Sequence, residues 1–248
     1  MRLAFLLAVL LAAGLLGLLE RFWRPLAGWV GRGQRLLPPA LSLLSLGIFA
    51  KIAREVHEEE TSALDRAVSL AVHRLDSPAM DAIMRLLTAL GSFPVIAAVV
   101  VLVAWWRIRR SDKRGAVMLI AVAGATELLN LLLKEAFQRG RPSLFTEVAT
   151  LHSYSFPSGH AMASAAVYGA VAILMGRADP AHARRYHLGA AVLVLLIGMS
   201  RVYLGVHWFT DVLAGFAAGL FVLIAGTNVL RAADRTAVAS RNRAGVLP

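Results

Sequence analysis

Seven stretches of this chain, near residues 3–19, 36–53, 88–106, 115–133, 159–176, 187–204 and 207–230, are long and almost free of charge. About 20 helical residues cross the hydrocarbon core of a bilayer, so runs of this length read as membrane spans. A backbone in lipid must satisfy its own N–H and C=O groups, which selects helices. The apolar excess (58% of 248 residues, mean hydropathy +0.66) falls in these runs and not in amphipathic stripes. The expected fold is all-α: a polytopic transmembrane helix bundle with a six-helix core and an extra N-terminal hydrophobic helix.

Charge orients the bundle. A net charge of +11 could suggest nucleic acid, but the cations gather in short loops between the apolar runs. The loops at 20–35, 107–114 and 177–186 and the tail after residue 230 are basic and nearly acid-free, so all four are expected in the cytoplasm. Alternation then places residues 54–87, 134–158 and 205–206 outside, in a cell (inner) membrane protein with no nucleic-acid partner. The chain has no cysteine, which removes disulfides and thiolate metal sites.

The expected parts are an N-terminal helix and basic loop (1–35), a membrane domain (36–230) and a basic cytoplasmic tail (231–248). The first run resembles a signal peptide in length, but one Arg2 and no clear small-x-small site favour a retained helix. Residues 55–87 hold seven acids and an apolar set at helical spacing (Leu64, Val68, Ala71, Val72, Leu75), which predicts an amphipathic helix on the outer surface. A strut or lid is the role expected of it.

Three polar clusters at outer helix ends are not explained by membrane topology. The first runs from Lys134 to Arg141-Pro142; seven residues apart, Lys134 and Arg141 share one face of a continuing helix that Pro142 would end. Glu127 and Asn130 precede Lys134 as a polar stripe expected to face the bundle interior. The second is Pro157-Ser158-Gly159-His160, which opens a helix. Free N–H groups and the positive end of the dipole suit an anion there, with His160 beside it as proton donor. The third holds Ser200, Arg201, His207 and Asp211. His207 and Asp211 are four apart, so a carboxylate can bond one imidazole nitrogen and make the other a better nucleophile.

Singly, these clusters read as snorkelling cations, a helix cap and a buried salt bridge. Together they put three cations, two histidines and a carboxylate on one side of the membrane. That set suits phosphate chemistry: cations neutralise the oxyanion, one histidine attacks and the other protonates the leaving oxygen. It suits a metal poorly, because lysine and arginine repel cations and only one acid is present. No metal or other cofactor is expected.

The pattern resembles the type 2 phosphatidic acid phosphatase (PAP2) superfamily, with its K-x6-R-P, P-S-G-H and S-R-x5-H-x3-D motifs. They stand here as Lys134 to Pro142, Pro157 to His160 and Ser200 to Asp211, with every position filled. The resemblance covers residues 36–230 and implies a six-helix core. It implies that His207 is a nucleophile forming a phosphohistidine, supported by Asp211. His160 would be the general acid and then the base for water. Lys134, Arg141, Ser158, Gly159 and Arg201 would hold the phosphoryl oxygens. Arg139, Ser200 and His152 would be rim or scaffold residues.

The expected substrate is a lipid phosphate in the membrane, with undecaprenyl diphosphate to monophosphate as the leading reaction. Phosphatidylglycerol phosphate, phosphatidic acid and lipid A phosphate are alternatives, as is phosphoryl transfer to another lipid. A flippase would carry charged or broken helices at mid-membrane, where Glu127 is the chief exception to a one-ended pattern.

Overall fold

A computed structural model describes residues 37–142 and 153–243. Met1–Leu41 and Ser42–Pro248 form separate compact units, and of the first only Leu37–Leu41 is described. The expected helix at 3–19 and the loop at 20–35 lie outside the described residues.

Among the described residues all regular structure is helical. In chain order it comprises α1 (Leu37–His57), α2 (Ser62–His73), α3 (Pro78–Leu90), α4 (Phe93–Arg109), α5 (Lys113–Phe137), α6 (Gly159–Ala178), a 3-10 turn (Pro180–His182), α7 (Ala183–Tyr203) and α8 (Phe209–Arg243). Lys113–Phe137, Gly159–Ala178, Pro180–Tyr203 and Phe209–Val229 are each long and apolar enough to cross a membrane. The pair α3–α4, bent by 47°, makes a fifth candidate. The first run of the expected core is also helical, as α1, and α8 continues past residue 230 to Arg243.

Local chemistry marks the helix ends. Ser77 Oγ accepts from the Met80 N–H at 3.3 Å and Pro78 occupies the first turn, so α3 starts there. Asp112 Oδ1 accepts from the Gly115 N–H at 2.9 Å and starts α5. Its other oxygen pairs with Arg107, whose Nη1 reaches the Leu174 carbonyl at 3.4 Å. One buried cation of the basic loop thus ties α4, α5 and α6 together.

The core gathers around α6, where Met162, Ala166, Val167, Ala170 and Leu174 meet Leu119 and Val122 of α5 and Ala218 and Val222 of α8. Two glycines let α8 approach this closely. A Cβ at Gly215 would stand 2.6 Å from the Ser158 carbonyl, and one at Gly219 would stand 2.4 Å from that of Met162. Small residues four apart on a helix face permit such backbone contact in a membrane bundle. Large apolar side chains point the other way: Leu102, Val117, Leu128 and Leu132 are all exposed on the outer surface.

The segment expected as one amphipathic helix over 55–87 instead holds the end of α1, all of α2 and most of α3, with breaks at residues 58–61 and 74–77. The inward side of α2 also differs from the apolar reading. Val68 and Val72 are half-buried as expected, but Leu64 and Leu75 are exposed, while Asp65 and Ser69 are buried. A carboxylate goes inward because a cation waits for it there.

Candidate active site

The first motif departs from the helical expectation. α5 ends at Phe137, before Pro142, because Gln138 adopts a left-handed conformation (φ 45°) and donates its N–H to the Lys134 carbonyl at 3.0 Å. Such a residue closes the last turn of a helix. Lys134 and Arg141 therefore do not share a helix face; Arg141 lies on the non-helical chain beyond the turn. Lys134 Nζ donates to the Tyr154 carbonyl. Arg141 donates Nε to the Ser153 carbonyl at 2.8 Å, Nη2 to Ser153 Oγ at 2.9 Å and Nη1 to the Val206 carbonyl at 2.6 Å. Its Nη1 also lies 3.4 Å from His207 Nε2.

The second motif forms a helix start, as its composition dictates. Ser158 is the N-cap of α6, yet its hydroxyl makes no cap bond; Ser158 Oγ is buried without a partner. Its N–H donates to the Asp211 carbonyl at 2.9 Å, joining this helix start to the third motif. A Cβ on Gly159 would come within 3.0 Å of Asn130 Nδ2, so glycine leaves room for the polar stripe of α5. Asn130 is buried and Glu127 half-buried, which agrees with the inward stripe expected there. His160 packs where α3 bends into α4: a Cβ on Gly91 would be 3.1 Å from its Cδ2.

The third motif spans a tight reversal. Gly205 has φ 65°, which glycine adopts without a Cβ penalty, and the N–H groups of Val206 and His207 return to the Arg201 carbonyl at 3.3 Å each. His207 therefore precedes α8 instead of starting it. Asp211 caps α8 by accepting the Trp208 N–H at 2.9 Å, the reach-back half of a capping box. The same oxygen, Oδ2, lies 3.5 Å from His207 Nδ1. At this separation the expected hydrogen bond is not made: His207 Nδ1 is buried without a partner, with the Asp211 carboxylate beside it. His207 is 2% exposed. Burial first, then the positive charges of Arg201, Arg141 and Lys134, hold its imidazole well below the ordinary histidine range. An imidazole held that low is neutral at neutral pH.

Arg201 is buried, donates Nη1 to Thr88 Oγ1 and keeps a buried Nε without a partner. Lys134, Arg141, Arg201 and both histidines lie within electrostatic reach of one another. The structure thus assembles the predicted residues Lys134, Arg141, Ser158, Gly159, His160, Arg201, His207 and Asp211 at one end of the bundle. Unpartnered donors at Ser158 Oγ and Arg201 Nε suit a tetrahedral oxyanion. Ser200 is scaffold, since its hydroxyl donates to the Ile197 carbonyl at 2.6 Å. His152 lies outside the described residues. Among those described, no group of three His, Cys, Asp or Glu could hold a metal ion.

Sequence reasoning underrated Arg139 and missed Asp65, Thr210 and Thr88. Arg139 Nη1 donates to Asp211 Oδ1 at 2.6 Å and Thr210 Oγ1 at 2.9 Å. Nη2 donates to Asp65 Oδ2 at 2.7 Å and Thr61 Oγ1 at 3.2 Å. Seven acids in one surface segment hid the one that turns inward.

A membrane helix bundle that gathers two histidines with Lys134, Arg141 and Arg201 at one end suits an enzyme that acts on a phosphate group at the membrane. The PAP2 superfamily model matches residues 115–235. Phosphatidylglycerophosphatase B of Bacillus subtilis is 36% identical over 184 residues, covering 72% of this chain and 90% of that protein. The crystal structure of a transmembrane PAP2 type phosphatidylglycerolphosphate phosphatase from Bacillus subtilis superposes with a TM-score of 0.70 at 33% identity, covering 80% of this chain and 96% of that one. Undecaprenyl-diphosphatase BcrC of Bacillus subtilis is 26% identical over 159 residues, 61% of this chain and 77% of that protein. The chain belongs to the PAP2 superfamily and is a membrane lipid phosphatase.

Proposed function

We propose that the enzyme hydrolyses a lipid phosphate through a phosphohistidine on His207, without a metal ion. The observation that carries this reading is the 3.4 Å approach of Arg141 Nη1 to His207 Nε2, the nitrogen facing away from Asp211. A phosphoryl group there would meet nucleophile and cation together. His207 Nε2 forms a bond to phosphorus as the bond to the lipid oxygen breaks, and His160 gives that oxygen a proton. Water then attacks phosphorus, His160 takes its proton, and the phosphorus–nitrogen bond breaks to release inorganic phosphate. Lys134, Arg141, Arg201, Ser158 and the Gly159 backbone neutralise the oxyanion, a stabilisation that grows as charge develops. Residues 36–230 form the phosphatase domain, with 1–35 and the cytoplasmic tail 231–248 as additions.

Phosphatidylglycerol phosphate is the preferred substrate in this reading, supported by the likeness to phosphatidylglycerophosphatase B, of which this chain covers 90%. Undecaprenyl diphosphate, expected from an outward-facing site, is the second reading and is supported by the likeness to BcrC. Purified protein is assayed for phosphate release from phosphatidylglycerol phosphate, undecaprenyl diphosphate, phosphatidic acid and lipid A 1-phosphate, with and without chelator. Release from phosphatidylglycerol phosphate is expected to be fastest and unaffected by chelator. No release from any lipid, or activity restored only by a divalent ion, overturns the proposal.

The site is proposed to face away from the cytoplasm, because the basic loops gather at the opposite helix ends. A reporter fused after residue 150 is expected to behave as external and one after residue 112 as internal. The opposite pattern sinks this orientation.

A further inference from the structure

Asp65 lies on α2, outside all three motifs, and is 1% exposed. Its Oδ1 accepts the Thr210 N–H at 2.9 Å; its Oδ2 accepts Thr210 Oγ1–H and Arg139 Nη2, both at 2.7 Å. Both arms end beside the same place. Thr210 is the chain neighbour of Asp211, and the other side of the Arg139 guanidinium holds Asp211 Oδ1 at 2.6 Å. A helix start leaves its first N–H groups without intrahelical partners. Here Asp211 takes that of Trp208 and Asp65, from another helix, takes that of Thr210.

Charge gives the arrangement a second purpose. A guanidinium resting on Asp211 alone would draw that carboxylate's charge away from His207. Shared with Asp65, Arg139 stands between two carboxylates, so the trio keeps a net negative charge beside the imidazole. An ion pair that merely fastened α2 to the bundle would have no reason to end twice on the residues that place the catalytic carboxylate.

We infer that Asp65 is a positioning residue for the reaction: through Arg139 and Thr210 it sets the place of Asp211 and the share of its charge that reaches His207. This rests on the reading of His207 as nucleophile. Groups that orient a metal-binding histidine from behind are typically worth roughly 10- to 100-fold in activity, and the same scale is expected for a histidine nucleophile.

The test uses full-length parent, Asp65→Asn, Arg139→Gln, the double variant and His207→Ala. The lipid is phosphatidylglycerol phosphate, or whichever of the four lipids the parent hydrolyses fastest. Asp65→Asn is expected to lower kcat roughly 10- to 100-fold with KM within about twofold. Because the two residues act as one unit, the double variant should be no slower than Arg139→Gln. A kcat for Asp65→Asn within about twofold of the parent, or losses that multiply in the double variant, overturns the inference. Should Asp65→Asn fail to fold, Arg139→Lys decides: it keeps the charge but cannot fork between two carboxylates. A parent-like kcat in Arg139→Lys then overturns the inference, and a loss at unchanged KM supports it. An active His207→Ala would instead overturn the underlying reading of the nucleophile.

Discussion

Replacing His207 by alanine is expected to lower phosphate release at least about 100-fold and to abolish the phosphoenzyme. The buried imidazole has its Nδ1 toward Asp211 and its Nε2 toward Arg141, so the attacking atom and the cation that greets the phosphoryl group face each other. The proposed intermediate is a phosphoramidate, expected to be labile in acid and more stable in base. His160→Ala, which removes the base for water, should let it accumulate in a quench with labelled lipid. Label that survives acid but not base, or that persists in His207→Ala, contradicts the assignment.

Arg139→Ala is expected to be the most damaging substitution of a cation outside the phosphate contacts. The guanidinium is nearly buried and lies between Asp65 and Asp211, both fully enclosed. Removing one partner of a buried ion pair typically costs about 3–5 kcal/mol, because the remaining charge stays buried without compensation. Here two carboxylates are abandoned together. The variant should melt well below the parent and lose at least about 100-fold in kcat, the scale of a lost electrostatic partner. Arg141→Ala should lose comparable activity with a smaller drop in melting temperature, since its partners are largely backbone carbonyls and a partly exposed serine. An Arg139→Ala protein with the parent's melting temperature and turnover would remove Arg139 from the machinery.

These two arginines show where reading the sequence stops. Lys134, Arg141 and Arg201 were legible as candidate phosphate-site cations because their motif spacing marks them. Arg139 differs from Arg141 by two positions, and no local pattern says which of them meets the histidine and which the aspartate. The choice is made where Gln138 turns left-handed and ends α5, which sends the two guanidinium groups to different partners. Asp65 was harder still. Its partner Arg139 is 74 positions away and Thr210 is 145 away, so nothing near Asp65 distinguishes it from the solvated acids around it. Thr88, which holds Arg201 across 113 positions, was hidden for the same reason.

The sequence by itself determined the solvent and the local chemistry. Long uncharged runs partition into lipid by a sum over neighbours, so the helices of the core could be placed from the chain alone. The helix start at Ser158-Gly159 and the nearness of His207 to Asp211 could be read because helix starts and short separations along the chain are local effects. Only the tertiary structure decided which polar groups support the reacting ones. Among the described residues, a buried carboxylate is tolerated only where a cation and N–H groups converge on it. For Asp65 that convergence joins α2, the turn after α5 and the first turn of α8, segments brought together by packing and not by proximity in the chain.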